Sequence, residues 1–202
     1  MIESPQLYNT LPNIILASKS PRRANLLKQI GLEFEVYPSE IEEPQITESP
    51  AIAVQELALT KARTVAAEFN TGIILGADTV VVIDGEPIGK PESDTHAIEI
   101  LTRLSGSRHE VITGVALINI KQKNEVVWAE KTAVYFRTLH QSEILAYIRS
   151  GEASDKAGAY GIQGRAGAFV DRIEGCYFNV VGLPLASLTV QLRRLIEGDS
   201  KD

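Results

Sequence analysis

The sequence predicts a mixed α/β fold, in which one sheet contains parallel and antiparallel strands and is flanked by helices. Stretches of β-branched or alternating apolar residues alternate along the chain with stretches of helical periodicity. This order is typical of strands connected through crossover helices. The Asp84-Gly85 pair and the polar segment 121–124 instead separate apolar stretches by short turns, and such turns join antiparallel strands. The sheet is therefore expected to be mixed rather than purely parallel.

The first half of the chain is predicted to hold three strands and two helices. Composition and alternation predict the strands at 14–17, 33–37 and 73–83. The first helix begins after Ser20, an N-cap residue followed by proline, and ends near Gly31. The second helix begins at the Ser-Pro pair 49–50 and continues to about residue 69. An acidic loop precedes this second helix.

The second half of the chain is predicted to continue the sheet and to end in a helix. Helices are expected at 93–104, 142–149 and 184–196, and strands at 110–118, 126–136, 168–173 and 177–181. The segment 152–167 is rich in glycine and polar residues and is interpreted as a functional loop. Residues 1–12 are expected to be an N-terminal extension, followed by a single domain over 13–198.

The composition indicates a soluble cytoplasmic protein. Hydrophobic residues make up 44% of the 202 residues and charged residues 23%, which is ordinary for a globular domain. The net charge of −6 argues against binding to nucleic acid or to a membrane surface, since both favour a basic face. Cys176 is the single cysteine, so an intrachain disulfide is excluded. The sequence is compatible with a homodimer.

The segment 18–23, Ser-Lys-Ser-Pro-Arg-Arg, combines a predicted helix N-terminus with two arginines. Ser18 precedes this turn, and Arg22 and Arg23 lie in the first turn of the helix. Free backbone N–H groups and guanidinium groups at one place favour a bound polyanion, above all a phosphate chain. The alternative is a pair of solvated arginines, which the helix dipole would disfavour.

Asp78 lies inside an otherwise apolar or small-residue strand, 73–83. A carboxylate in such a strand has a high desolvation cost unless it is paired, binds a metal or faces a cleft. Gly76 and Ala77 leave room for a ligand beside it. We therefore interpret Asp78 as a metal ligand or a general base, the alternative being an aspartate at a strand end that faces solvent.

Lys61 lies on the apolar stripe of the second helix, four residues after Leu57 and four before Val65. Taken alone, this position favours a lysine that extends past the stripe into solvent. The cations Arg22, Arg23 and Lys90 raise the alternative that it reaches inward, because several cations in one cleft suit a triphosphate.

Phosphoryl chemistry needs a divalent cation, and carboxylates are ligands that suit Mg²⁺ or Mn²⁺. Glu35 lies within a predicted strand and is the better candidate, whereas Glu42 and Glu43 are expected in a solvated loop. The three histidines are scattered without the spacing of a zinc site.

The segment 155–164 contains three glycines, a tyrosine and Gln163. Glycines allow the backbone to approach a flat ligand closely. The Gln163 amide offers both a donor and an acceptor, which matches the edge of a uracil-type base. Composition alone does not reject the alternative of a flexible surface loop.

Three motifs together resemble the Maf family of nucleotide pyrophosphatases. They are SxSPRR at 18–23, LGADT at 75–79 and DKAGAYGIQG at 155–164, and GLPL at 182–185 adds a further match. The resemblance extends over about 14–192. It implies a fold similar to that of the inosine-triphosphate pyrophosphatase group, with a bent mixed sheet and two lobes around a cleft. It also implies metal-dependent hydrolysis of a nucleoside triphosphate to monophosphate and pyrophosphate.

The resemblance assigns roles to individual residues. Asp78 matches the proton acceptor, and Glu35 matches a carboxylate that is associated with the metal. We expect Asp78 to be a metal ligand together with Glu35. The positions implicated in holding phosphates are Ser18, Arg22, Arg23, Lys61, Lys90 and Lys156. The positions linked to base preference are Arg22, Thr79 and Gln163, and their identities resemble the dTTP/UTP branch rather than the 7-methyl-GTP branch.

Two other function classes fit the sequence less well than this hydrolase. A regulator of cell division that binds nucleotides without turnover would have no need of Asp78 in an apolar strand. A general nucleic-acid binder is disfavoured by the acidic balance and by the lack of a basic stripe interleaved with aromatic residues. The sequence therefore favours the enzyme.

Overall fold

The computed structural model describes residues 12–41 and 49–197. Within these ranges the chain forms seven strands: β1 (Ile14–Leu16), β2 (Glu35–Val36), β3 (Ile73–Ile83), β4 (Glu86–Ile88), β5 (Arg108–Asn119), β6 (Asn124–Phe136) and β7 (Val170–Glu174). The helices are α1 (Pro21–Gln29), α2 (Pro50–Ala66), α3 (Asp94–Leu104), α4 (Gln141–Ile148), α5 (Tyr177–Val181) and α6 (Leu185–Glu197), with 3-10 turns at Ala157–Ala159 and Arg165–Phe169. No helix in the described part is long and apolar enough to cross a membrane.

The seven strands form one mixed sheet, which confirms the predicted class. Its order is β2-β1-β3-β5-β6-β7, with β4 paired to β3. The pairs of β1 with β2 and with β3 are parallel, and the other pairs are antiparallel. Asp84 and Gly85 both have positive φ, 53° and 81°, as the tight turn between β3 and β4 requires.

Two expectations about the outer elements need correction. Residues 177–181 were expected to form a strand but form α5, a helix that Gly182 ends with a φ of 125°. Its β-branched and aromatic residues are typical of a strand, but in the structure the segment is a helix whose Asn179 is buried. The second strand is also shorter than expected, covering Glu35–Val36. The proposed N-terminal extension, 1–12, lies outside the described residues except for Pro12, and Glu42 and Glu43 lie outside them as well.

Helix α2 packs in close contact with one face of the sheet. A Cβ on Gly76 would lie 2.1 Å from the carbonyl oxygen of Ala58, and one on Gly114 would lie 2.2 Å from that of Val54. Only glycine avoids these overlaps with backbone atoms. The two glycines therefore let α2 approach the centre of β3 and β5, which brings the side chain of Lys61 to the sheet.

Strand β3 extends through both halves of the protein and leaves part of one edge open. On that edge β1 pairs with residues 73–75 and β4 pairs with residues 81–83. Apolar residues of α1 and α6 pack with the first end of β3, and those of α3 and α4 pack with the second end. Residues 76–80, which no described strand covers on this edge, thus lie between these two groups of helices, which we call the two lobes, and we call the gap between them the cleft.

Candidate active site

The open edge of β3 presents two polar side chains to opposite faces of the sheet. Successive residues of a strand point to opposite sides, so Asp78 lies on the face covered by α2 and Thr79 on the other. Both side chains are half-buried. Asp78 contacts Lys61, while Thr79 contacts Arg23. The two predicted functional positions of this strand therefore belong to two separate sets of contacts.

Lys61 and Asp78 form an ion pair at the cleft. The Lys61 Nζ donates to Asp78 Oδ1 at 2.8 Å, and the two side chains are only 10% and 15% exposed. The expectation that Lys61 would extend into solvent is wrong, because the close approach of α2 directs the lysine inward. A carboxylate held by an ammonium group at a cleft can orient a water molecule and accept its proton.

Arg23 is buried and forms hydrogen bonds to three different elements. Its Nε donates to the Gly182 carbonyl at 2.9 Å, its Nη1 to Ser18 Oγ at 2.9 Å and its Nη2 to Thr79 Oγ1 at 3.1 Å. Ser18 Oγ also accepts from the backbone N–H of Ser20. The guanidinium therefore links the turn between β1 and α1, strand β3 and the end of α5, and it fixes the shape of that turn.

Arg22 points to a different partner from Arg23. Its Nη1 donates to Asp155 Oδ2 at 3.0 Å, and Asp155 Oδ1 accepts from Lys156 Nζ at 2.5 Å. Burial opposes ionisation of Asp155, but the hydrogen bonds from Lys156 and Arg22 lower its pKa overall. Since Arg22 belongs to one lobe and Asp155 to the other, this ion pair spans the cleft and brings Arg22 and Lys156 together.

The loop that contains Gln163 is anchored at several points. The Gly158 N–H donates to the Gly89 carbonyl at 3.0 Å, and the Gly161 N–H donates to the Tyr147 hydroxyl at 3.3 Å. Tyr160 shares a 2.8 Å hydrogen bond with His109. These contacts reject the alternative of a loosely held surface loop. Gln163 itself is exposed, between the contact of Gly161 and that of the Arg165 N–H with the Glu152 carboxylate at 3.0 Å.

Two other residues expected at the phosphates lie around this loop. Lys90 is exposed directly after Gly89, at the point where that residue contacts the loop. Lys156 donates from Nζ to the Glu152 carbonyl at 2.6 Å as well as to Asp155. A Cβ on Gly161 would lie 2.7 Å from the Lys156 side chain, so this glycine makes room for the lysine.

Sequence reasoning missed a set of buried polar residues behind Thr79. Thr113, Thr132 and Asn179 are almost completely buried and are joined by hydrogen bonds that begin at Thr79. The signal was present, because Thr113 interrupts an apolar strand as Asp78 does. The same argument from desolvation cost would have selected it.

The structure does not bring Glu35 and Asp78 together. The Glu35 carboxylate accepts from the Asn13 side chain at 2.8 Å, before β1 begins, whereas Asp78 lies beyond the other end of β1. Strand spacing and rise put their Cα atoms about 16 Å apart. The described residues contain no group of three or more acidic, histidine or cysteine side chains that could hold a metal.

A divalent cation nevertheless fits Asp78. Lys61 occupies Oδ1, while Oδ2 has no hydrogen-bond partner among the described residues. Mg²⁺ commonly takes only one or two carboxylates from a protein and completes its shell with substrate phosphates and water. Asp78 alone is thus a suitable donor for a cation that arrives with a triphosphate.

Comparison with known proteins identifies the family. The model for Maf-like proteins matches residues 13–195. The chain is 50% identical to the dTTP/UTP pyrophosphatase of Ruminiclostridium cellulolyticum, over 92% of this chain and 97% of the relative. It is also 50% identical to the dTTP/UTP pyrophosphatase of Carboxydothermus hydrogenoformans, over 89% of this chain and 97% of that relative.

Among solved structures, the Ham1 protein of Staphylococcus aureus aligns with a TM-score of 0.46 and 19% identity, covering 61% of this chain and 71% of that protein. The family resemblance stated from the motifs is confirmed by the match to the family model and by the two relatives. The chain belongs to the family of Maf-like proteins.

Proposed function

We propose that this protein is a hydrolase that converts dTTP and UTP to the nucleoside monophosphate and pyrophosphate. The observation that carries the proposal is the Lys61–Asp78 pair at the open edge of β3. A module that only binds a polyanion gains nothing from a half-buried carboxylate, which repels phosphate, whereas hydrolysis requires a proton acceptor. The names of the two bacterial relatives support the same activity and substrates.

The triphosphate would lie in the cleft between the two lobes. Arg22 and Lys156 meet across the cleft through Asp155, and Lys90 follows Gly89, whose carbonyl accepts from Gly158 in the loop after Lys156. Ser18 and Arg23 shape the turn before α1, where backbone N–H groups of a helix N-terminus favour phosphate. Together with Lys61, these groups would offset the negative charge of a triphosphate and of the leaving pyrophosphate.

The reaction forms a bond between a water oxygen and the α-phosphorus. It breaks the bond from that phosphorus to the oxygen that bridges to the β-phosphorus, so the electron pair leaves with pyrophosphate. Asp78 orients the water and accepts its proton. Lys61 holds the carboxylate through Oδ1 and adds positive charge where the phosphates would lie.

A divalent cation, Mg²⁺ or Mn²⁺, would be held beside Asp78 by water and phosphate oxygens, with Asp78 bonded to that water, so that the carboxylate stays able to accept a proton. When bound, it supplies charge neutralisation at the phosphates. Glu35 has no part in this arrangement, because its carboxylate is directed towards Asn13. A nucleoside triphosphate substrate is consistent with a cytoplasmic enzyme.

The base would be read by Thr79 and Gln163, with Arg22 at the mouth of the cleft. Uracil and thymine present a donor N–H between two carbonyl acceptors. The Gln163 amide provides a donor and an acceptor at an exposed position of an anchored loop. A base whose hydrogen-bond donors and acceptors leave the Thr79 and Gln163 side chains unpaired would be rejected.

The test is pyrophosphate release from dTTP, UTP, CTP, GTP and 7-methyl-GTP, with Mg²⁺ and with a chelator. We expect metal-dependent release with dTTP and UTP preferred, and loss of turnover in Asp78→Asn without loss of the fold. Asp171→Asn, the same change on an exposed residue of β7, is the matched control.

Three results would contradict the proposal in different ways. Normal turnover by Asp78→Asn would refute the role of that carboxylate. A preference for 7-methyl-GTP would refute the choice of base. Nucleotide binding without turnover of any nucleotide would instead favour the regulator of division.

A further inference from the structure

A continuous chain of hydrogen bonds extends from Arg23 across the sheet to α5. Arg23 Nη2 donates to Thr79 Oγ1 at 3.1 Å. Thr79 Oγ1 and Thr113 Oγ1 are 2.9 Å apart, and the two threonines are directly paired between β3 and β5. Thr113 Oγ1 donates to the backbone carbonyl of Asn179 at 3.2 Å. Each of these links joins groups that are buried or half-buried.

The direction of every proton in this chain follows from counting donors. A threonine hydroxyl has one hydrogen to donate, and a carbonyl oxygen can only accept. The Thr113 hydrogen must point to the Asn179 carbonyl, since otherwise two acceptors would face each other at 3.2 Å. Thr113 therefore accepts from Thr79 rather than donating to it. Thr79 gives up its only hydrogen to this bond.

The Thr79 oxygen thus has a fixed polarity. It accepts one hydrogen bond from Arg23 and donates its own hydrogen to Thr113. Among the described residues it has no third partner, which leaves one lone pair directed away from these two groups. Thr79 can accept a hydrogen bond from a ligand but has no hydrogen with which to donate one.

The end of the chain at α5 is held rigidly. The Asn179 side-chain amide donates to the Val111 carbonyl at 3.0 Å and to Thr132 Oγ1 at 3.0 Å. Thr132 Oγ1 in turn bonds to both the carbonyl and the N–H of Cys176. These contacts fix the Asn179 carbonyl against Thr113, because α5 is tied to the sheet at both Cys176 and Asn179.

We propose that Thr113 and Asn179 are positioning residues that make Thr79 an obligatory acceptor for the nucleotide base. The proposal rests on the function proposed above. Uracil and thymine carry a donor at N3 and match such an oxygen, whereas cytosine carries a lone pair at N3 and is repelled by it. The buried threonine pair therefore supplies selection for uracil-type bases without touching the substrate.

The decisive variant is Thr113→Val, which removes the acceptor while keeping the shape of the side chain. The Thr79 hydroxyl is then able to rotate and donate to cytosine N3. We expect the ratio of kcat/KM for UTP over CTP to fall at least about tenfold, the scale of one lost hydrogen-bond preference. Thr113→Ser keeps the hydroxyl and should restore the ratio.

Leu117→Ala is the control for a general loss of stability. It removes a fully buried apolar side chain from the same strand, β5, and should lower the thermal midpoint, yet Leu117 has no part in the hydrogen-bond chain. An unchanged UTP-to-CTP ratio in this control supports the proposal. A fall in the ratio equal to that of Thr113→Val would assign the effect to general loosening of the fold and overturn the proposal, as would an unchanged ratio in Thr113→Val.

A measurement on the wild-type protein avoids any variant that fails to fold. Binding of the α,β-methylene analogues of UTP, 3-methyl-UTP and CTP is compared by calorimetry. We expect the analogue of UTP to bind at least about tenfold more tightly than the other two. Equal binding of the 3-methyl analogue would overturn the proposal. Since this assay reads binding, a protein without turnover would refute the proposed function while leaving this test decisive.

Discussion

His109 gives the protein a stability that depends on pH. The side chain is 1% exposed, and its Nε2 is 2.8 Å from the Tyr160 hydroxyl. The other ring nitrogen, Nδ1, is buried without a hydrogen-bond partner among the described residues. Burial, and then the charge of Arg108, lower the pKa of His109 to about 4. The folded protein therefore holds this ring neutral at pH values where an unfolded chain would protonate it.

The sign and size of the effect follow from proton linkage. Between pH 6.5 and pH 4 the unfolded state binds a proton at His109 and the folded state does not, so the free energy of unfolding falls as the pH falls. The loss is about 2 kcal/mol at pH 5 and approaches about 3 kcal/mol below pH 4. Above about pH 7 neither the folded nor the unfolded state binds a proton at His109, so His109 no longer contributes to the pH dependence of the free energy of unfolding.

Urea unfolding at pH 7.5 and pH 5.0 measures the effect in the wild type and in His109→Gln. The variant loses the contact with Tyr160 and is less stable than the wild type at both pH values. Its free energy of unfolding should, however, fall by about 2 kcal/mol less than that of the wild type between pH 7.5 and pH 5.0. His96→Gln, which replaces a half-buried histidine of α3, should retain the wild-type drop. An equal drop in the free energy of unfolding in wild type and in His109→Gln would show that His109 is not the source of the pH dependence.

Two further predictions concern packing and the cleft. Gly76→Ala forces a Cβ to 2.1 Å from the Ala58 carbonyl oxygen and should lower the free energy of unfolding by about 3 kcal/mol. Gly89→Ala is the control, because a Cβ there meets nothing within 4 Å, and it should change that free energy by less than about 0.5 kcal/mol. Thermal melts of the two variants and the wild type measure the difference. Arg22→Ala removes a partly exposed ion pair with Asp155 and should cost less than about 1 kcal/mol of stability while raising KM for the nucleotide about tenfold. A large loss of stability with unchanged KM would show that Arg22 serves the fold instead.

The sheet and the helices that flank it were predictable from local patterns. Strand β3 is an uninterrupted β-branched run, and the turn at Asp84 and Gly85 has a strong local signature. Asp78 could be singled out because desolvation makes a lone carboxylate costly in such a strand. Local periodicity failed for α5, where tertiary contacts of Asn179 outweigh the strand-like composition.

The partners of each polar residue were not predictable. The sequence places Lys61 on an apolar stripe, but its inward course depends on how closely α2 approaches Gly76, which is a property of the packed sheet. Arg22 and Arg23 are adjacent in the chain, yet one turns to the facing lobe and the other to the interior. Glu35 is drawn to Asn13, a contact that depends on the register of two strands.

The alternation of side chains along β3 has an evolutionary consequence. Asp78 and Thr79 are neighbours in sequence but belong to opposite faces, each supported by its own helices. Substitutions around Thr113 and α5 can accumulate on one face while the ion pair with Lys61 is undisturbed on the other. If the two residues have the roles proposed above, such a strand allows a lineage to change its nucleobase preference through one face of the sheet while the catalytic pair on the other face is retained.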